Sequence, residues 1–276
     1  MNKVLATAFY VGFSFVLLAG GQGEKIDFFR PAETGRTCHV KASIRSSCRF
    51  SVRSSAAAKA PEKLEESAAA IAGVMKVLEC SDKGNPLAFE FAVESFSGNS
   101  HGNAVNSKVL AGKTLLVKKT LSNVSFSLVG GGDIPVPDED LLRMLFQPDD
   151  GLCLKDIIGT DNPLKTGDSW TLSHDAKDGI SFSGTASLKN KEKFSETECW
   201  RIEYTISASD AKGLASEAST EILLPVEKKK GGPLRIKSKQ KRKIEKALPA
   251  ENPITAGSIL NIDESVEFHA EVVPLS

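Results

Sequence analysis

Apolar and polar side chains alternate with a period of two along much of this sequence, and this alternation restricts the possible folds more than any other feature. From Cys38 to Val52 the even positions are mostly apolar, whereas the odd positions are polar or basic. The same pattern recurs in residues 87–96, 200–206 and 266–272. Successive side chains of a strand point to opposite faces, so this spacing predicts strands with one buried face. Such strands are typical of antiparallel sheets, because parallel sheets are usually buried on both faces.

The sequence therefore predicts a mainly β, antiparallel fold arranged as curved sheets or a sandwich. Residues 81–86, Ser-Asp-Lys-Gly-Asn-Pro, predict a hairpin connection between two strands. One short helix is predicted at residues 138–146, where acidic residues suit the N-terminus and leucines form an apolar stripe. Residues 62–72 have a composition that leaves a second helix open.

The domain organisation follows from these patterns. We predict a signal peptide at 1–23, a flexible N-terminal segment at 24–36, a first β region with the helix at 37–150, and a second β region at 151–276. Two short strings, near residues 112–127 and 167–183, repeat a Gly turn followed by an apolar/Ser strand at offsets of 12 and 13 residues. Two related β halves and a chance recurrence both remain open.

The N-terminus has the composition of a secretory signal. Met1-Asn2-Lys3 is positive, residues 4–18 are apolar, and small residues follow. Gly21 stands where a lipid-bearing Cys would be required, and no later apolar stretch approaches the ~20 residues of a membrane span. We therefore expect an exported protein, periplasmic or extracellular, without a lipid anchor and without a membrane span after signal cleavage. The alternative is an uncleaved N-terminal anchor.

Five cysteines are too few for a disulfide scaffold. Because their number is odd, at least one must stay unpaired within the chain. No C-x-x-C spacing indicates a metal site or a redox dithiol, and we expect no cofactor.

A resemblance to known proteins appears at Asn162–Trp170. Residues 163–170 resemble the Pro-x-Lys-x-Gly-Asp-x-Trp segment of exported bacterial β-proteins with no assigned activity. Those proteins are similar, at the level of fold, to periplasmic lipoprotein-carrier proteins. The resemblance implies a curved sheet wrapped around a helix, and it transfers no catalytic residue. In physical terms, Gly167-Asp168 turns the chain and Trp170 supplies a large ring to the core.

The strongest candidate for a binding surface is a row of cations in residues 234–244. Because alternate residues of a strand share one face, a strand there would carry five cations about 7 Å apart. Like charges in line repel, and a polyanion would relieve this repulsion at low salt. The candidate anion-binding residues are Arg235, Lys237, Lys239, Lys241 and Lys243. The odd positions of residues 39–53 form a weaker row, and the two rows would make one cationic face if their strands were neighbours.

A structural reading of the same residues is also open. Acidic residues alternate at 90 and 94 and again at 267 and 271, so a neighbouring strand of this kind would place carboxylates opposite the cations. The partner predicted by the first reading is an anionic envelope polymer or lipid. A nucleic-acid partner is not expected, since the chain has 35 basic and 35 acidic residues overall.

Catalytic and metal motifs are weak. Gly98-Asn99-Ser100-His101-Gly102 matches the G-x-S-x-G nucleophile elbow, which requires a helix after the Ser, and no helical pattern follows. His269-x-Glu271 has a spacing that places both side chains on one strand face, but no further metal ligands are indicated. We therefore predict an exported, non-enzymatic β protein that binds an envelope component. The alternative is a secreted serine hydrolase that uses Ser100.

Overall fold

The structure, a computed structural model, describes residues 23–53, 62–100, 103–105, 109–148, 151–174, 181–209, 215–247 and 258–275. The predicted signal peptide lies almost entirely outside these residues. The described residues form twelve strands and two α-helices. The strands of the first region are β1 (Thr37–Arg53), β2 (Lys63–Cys80), β3 (Pro86–Ser100), β4 (Asn103–Val105), β5 (Thr114–Lys119) and β6 (Val124–Leu128). Two helices, α1 (Val136–Leu145) and α2 (Leu154–Ile158), precede β7 (Ser169–His174), β8 (Ser181–Phe194), β9 (Thr197–Ser209), β10 (Ala215–Pro225), β11 (Arg235–Ala247) and β12 (Ile259–Pro274).

All twelve strands belong to one open antiparallel sheet, as the alternation predicted. Its order is β6-β5-β3-β2-β1-β12-β11-β10-β9-β8-β7, with β4 paired to β3 outside this path. The first and last strands of the chain meet at the centre, where β1 pairs with β12 along sixteen residue pairs, from Cys38↔Pro274 to Arg53↔Ile259. The two predicted β regions therefore share one continuous sheet, and whether they are related halves stays a prediction.

One face of the sheet is apolar, and its first half is covered by α1. Phe91 on β3 and Leu115 on β5 are fully buried, as are Leu141 and Leu142 of the helix. Phe146, just after the helix, contributes a ring whose centroid lies 5.8 Å from that of Phe91 in an edge-on arrangement. The predicted helix at 138–146 is confirmed, and it begins two residues earlier because Pro137 is accepted within its first turn.

A second core covers the same face of β7–β10. Ile202 and Ile222 are fully buried there and pack with Ile158 of α2. Ile26 and Phe28 are buried in the same core, so the segment predicted to be flexible at 24–36 holds two core residues. The second core therefore covers the β7–β10 part of the apolar face, and the first core covers the part that lies under α1.

The Pro-x-Lys-x-Gly-Asp-x-Trp segment forms a turn that leads into β7. Asp168 accepts a hydrogen bond at Oδ2 from the Lys165 backbone N–H at 2.7 Å, and its own N–H donates to the Lys165 carbonyl. Gly167 has φ of 92°, a left-handed conformation that favours glycine. The Trp170 ring is half-buried against Phe28, and its Nε1–H donates to the Ile158 carbonyl at 2.9 Å. The segment thus anchors α2 to the sheet.

The structure confirms one local expectation and corrects another. The hairpin at residues 81–86 is confirmed, because β2 ends at Cys80 and β3 begins at Pro86. The second helix left open at 62–72 is wrong, because residues 63–72 lie in β2, between β1 and β3. Hydrogen bonding to two neighbouring strands outweighs the helical propensity of the alanines there.

All five cysteines are free thiols. Cys38, Cys153 and Cys199 are buried, whereas Cys48 and Cys80 are half-buried. Among the described residues, no helix is long and apolar enough to cross a membrane.

Candidate functional site

The other face of the sheet is polar, and it forms one large cavity. We call this the polar face. One row of residues in register across it runs Arg45, Glu267, Lys239, Ser219, Thr205 and Thr185. The cavity has a volume of about 920 Å³ and is lined by residues from β3, β2, β1, β12, β11, β10, β9 and β8. In a flat sheet β3 and β8, seven strands apart, would be separated by about 34 Å. The sheet must therefore curve, with the polar face on its concave side.

Hydroxyl groups line much of this cavity. On the β8–β10 side the polar face presents Thr185, Ser187, Thr205 and Ser219. Thr185 and Thr205 lie within 3.3 Å of each other through their hydroxyl oxygens. On the opposite side Ala68, Ala70 and Ser97 form a wall of small side chains. The lining therefore offers many neutral hydrogen-bonding groups, and apolar atoms contribute a substantial share of its surface as well.

Charged side chains occupy the centre of the cavity, where Lys237 and Lys239 of β11 face it together with Arg45, Glu221 and Glu267. Lys239 Nζ lies 2.8 Å from Glu267 Oε1, and this hydrogen bond lowers the pKa of the Glu267 carboxyl below its usual value. Lys237 is 3.9 Å from Glu221, half of its side chain remaining exposed. Lys237 therefore remains accessible to a ligand.

The five predicted anion-binding residues lie on one face of β11, as the alternation predicted, but their surroundings differ. Arg235 is held by Glu221 at 3.0 Å and Glu192 at 3.1 Å, and its side chain is mostly buried. Lys237 and Lys239 line the large cavity. Lys241 and Lys243 line a smaller pocket of about 200 Å³ further along the same face. Arg235 is thus a structural cation, and the other four face space that a ligand can enter.

The two cationic rows do not make one cationic face, because their strands are not neighbours. β12 lies between β11, which carries the first row, and β1, which carries the weaker one. Its acidic residues separate the two cationic rows: Glu271 faces both Lys41 and Arg235, and Glu267 faces both Arg45 and Lys239. The expectation that an acidic strand would lie opposite the cations is therefore confirmed for β12. Sequence reasoning placed the acidic and basic rows correctly but did not predict which strands are neighbours.

The serine of the G-x-S-x-G match and the histidine of the His-x-Glu pair both lie in strands, Ser100 in β3 and His269 in β12. Ser100 ends β3 and pairs with Asn103 of β4, so the described element after Ser100 is a strand; residues 101–102 lie outside the described residues. The strand-turn-helix geometry of a nucleophile elbow is not formed by these described elements. His269 Nε2 lies 3.6 Å from Glu271 Oε1. Within the described part of the chain, no group of three or more His, Cys, Asp or Glu side chains is arranged to hold a metal ion.

Comparisons with known proteins add little. No protein-family model matches the chain, and no curated protein matches it. A Bacteroides fragilis protein described as exported, with a YmcC-like fold, aligns over 90% of this chain and 99% of its own at 14% identity and a TM-score of 0.25. An outer membrane channel from Pseudomonas putida aligns over 88% and 97% at 9% identity and a TM-score of 0.21. A Pseudomonas aeruginosa FadL homologue aligns over 92% and 98% at 8% identity and a TM-score of 0.17. At these scores the likenesses carry no argument about the site.

Proposed function

We propose that this chain is an exported, non-enzymatic β protein that binds an anionic component of the cell envelope in the cavity on its polar face. The observation that carries the proposal is the cavity itself, about 920 Å³ in volume, with Lys237 and Lys239 at its centre. Pockets of roughly 300–1,000 Å³ are typical of ligand sites in proteins. Export is supported by the signal-peptide composition of residues 1–23.

The polar groups that line the cavity suit a ligand with many hydrogen-bonding groups. The polar-face side chains that line the cavity from β8–β10 are hydroxyls together with the charged Lys189, Glu203 and Glu221. The large apolar residues of those strands are buried in the second core on the other face. An anionic polymer that also carries hydroxyl groups can use both kinds of lining group, so of the two predicted partners we propose the anionic polymer first.

The test measures salt-sensitive retention of the mature protein on immobilised lipopolysaccharide and on heparin. We expect retention that weakens as salt rises, because ion contacts are screened and counterions compete. The double variant Lys237→Gln/Lys239→Gln should elute at lower salt. A matched control, Lys113→Gln/Lys118→Gln, makes the same charge change at exposed positions that do not line the cavity. An absence of retention, or an equal loss in both double variants, would contradict the proposal.

The hydrolase alternative has its own test. Labelling of the native protein with a serine-directed fluorophosphonate should give no signal that depends on Ser100. Labelling that disappears in Ser100→Ala would show a reactive serine there and would overturn the non-enzymatic assignment.

A further inference from the structure

We propose that Arg49, Lys241 and Lys243 form a subsite for a phosphate group at one end of the polar face, so that the ligand of the cavity is a phosphate-bearing molecule. We call these three residues the cationic cluster. The inference rests on the proposed function, since it identifies the chemical class of ligand at the same face. It depends on the smaller pocket, on its charge and on its position beside the large cavity.

The cationic cluster is built by three adjacent strands. Arg49 of β1 and Lys243 of β11 both face Asp263 of β12 in the sheet register, one from each side. Lys241 is two residues before Lys243, on the same face of β11, and pairs with Ser265 of β12. Together with Ser47 these residues line the pocket of about 200 Å³. The subsite therefore combines cations with two hydroxyl groups that can donate hydrogen bonds.

The cations of this cluster are not neutralised by close ion pairs. In the described residues, Asp263 forms no ion pair with Arg49 or Lys243 although it lies between them. Glu217 and Glu66 face Lys241 and Ser47 from the outer strands, and neither lines the pocket. Arg242 is 3.9 Å from Glu264 and balances it. The pocket lining thus keeps a net charge of +2, from four cations and two carboxylates.

A phosphate monoester suits this charge and these donors. It carries about −1.5 to −2 charges at pH 7 and offers three acceptor oxygens. A carboxylate carries a single charge and would leave the pocket cationic. Arg guanidinium and Lys ammonium groups both bind phosphate oxygens, the first by paired donors and the second as a point charge.

The position of the cluster relates it to the large cavity. Lys241 follows Lys239, which lines that cavity, by two residues on the same strand face, a separation of about 7 Å. A ligand of modest length can therefore place its phosphate in the cationic cluster and its hydroxyl-bearing body against β8–β10. The cationic cluster then binds the phosphate, and the large cavity binds the rest of the ligand.

The test follows inorganic phosphate binding to the mature full-length protein by 31P NMR at constant ionic strength. We expect saturable line broadening in the unmodified protein. In Arg49→Gln/Lys241→Gln/Lys243→Gln the dissociation constant should rise about tenfold or more, because charge-assisted hydrogen bonds are lost. Lys241→Arg/Lys243→Arg keeps the charge and should retain binding. Circular dichroism of each variant verifies that the sheet is intact.

The outcomes separate the two proposals. Phosphate binding that is absent, that is unchanged in the triple variant, or that acetate matches at equal concentration overturns the subsite, even where retention on lipopolysaccharide still depends on Lys237 and Lys239. Phosphate binding without any retention contradicts the proposed function alone. Competition by soluble glycerol phosphate supports a soluble or glycan-borne phosphate, whereas sedimentation with phosphatidic acid vesicles but not phosphatidylcholine vesicles supports a lipid phosphate.

Discussion

Replacing Phe91 by alanine tests, through the free energy of unfolding, whether the apolar face of the sheet is buried. The Phe91 side chain has no exposed surface and packs beside Phe146 in the core under α1. Removing a buried phenyl ring loses its transfer free energy and leaves a cavity, which together cost about 3–5 kcal/mol. The lost edge-on ring contact is part of this cost. We expect the free energy of unfolding to fall by about 4 kcal/mol.

Urea unfolding followed by far-UV circular dichroism measures this change. A control, Lys118→Ala, removes an exposed side chain from β5 and should change stability by less than about 0.5 kcal/mol. Both tryptophans, Trp170 and Trp200, lie in the second core, so their fluorescence reports the other half of the sheet. Because one sheet joins the halves, the fluorescence transition should shift together with the dichroism. A loss below about 1 kcal/mol in Phe91→Ala would refute the burial argument.

Three further predictions concern single residues. The pKa of Asp156 is lowered to about 2 by hydrogen bonds from the Cys153 backbone N–H and from Lys83. Its stabilising effect is therefore full above the unfolded pKa of 3.8 and is lost as pH falls toward 2. In urea unfolding, Asp156→Asn should cost about 1 kcal/mol at pH 7, discounted for partial exposure, and only a small fraction of that at pH 2. A Cβ at Gly184 would meet the Thr205 carbonyl of β9, whereas one at Gly232 meets nothing; Gly184→Ala should destabilise by about 2 kcal/mol in the same assay, and an equal effect of Gly232→Ala would contradict this. Burial raises the pKa of the Cys199 thiol to about 11, so iodoacetamide at pH 8 should modify Cys199 only after unfolding, as mass spectrometry of the peptides would show.

Alternation in the sequence predicted the strands because each one has a buried and an exposed face. It predicted the chemistry of β11 and β12 equally well, since the charges alternate with the same period. It could not resolve residues 62–72, because alanines fit a helix as well as a strand and the pairing of β2 with β1 and β3 decides the outcome. Helix α2 was missed because five residues carry no periodicity; Asp156 and Lys83 position it instead.

The cavity was beyond prediction for a different reason. Period two gives the face of each residue but not its neighbour across the sheet. The pairing of β1 with β12 joins residues more than two hundred positions apart, and it separates the two cationic rows by the acidic residues of β12. Curvature of the sheet then brings β3 and β8 to one cavity. No local pattern contains this information, because it arises from long-range packing.

Curvature of the polar face is the claim on which both binding proposals depend. It is tested by the distance between spin labels at Ser97→Cys on β3 and Ser187→Cys on β8, in a variant whose five native cysteines are replaced by serine or alanine and whose dichroism is unchanged. Because both residues line the same cavity, we expect a mean distance well below the roughly 34 Å of a flat sheet. A distance of about 30 Å or more in the folded protein would contradict the account.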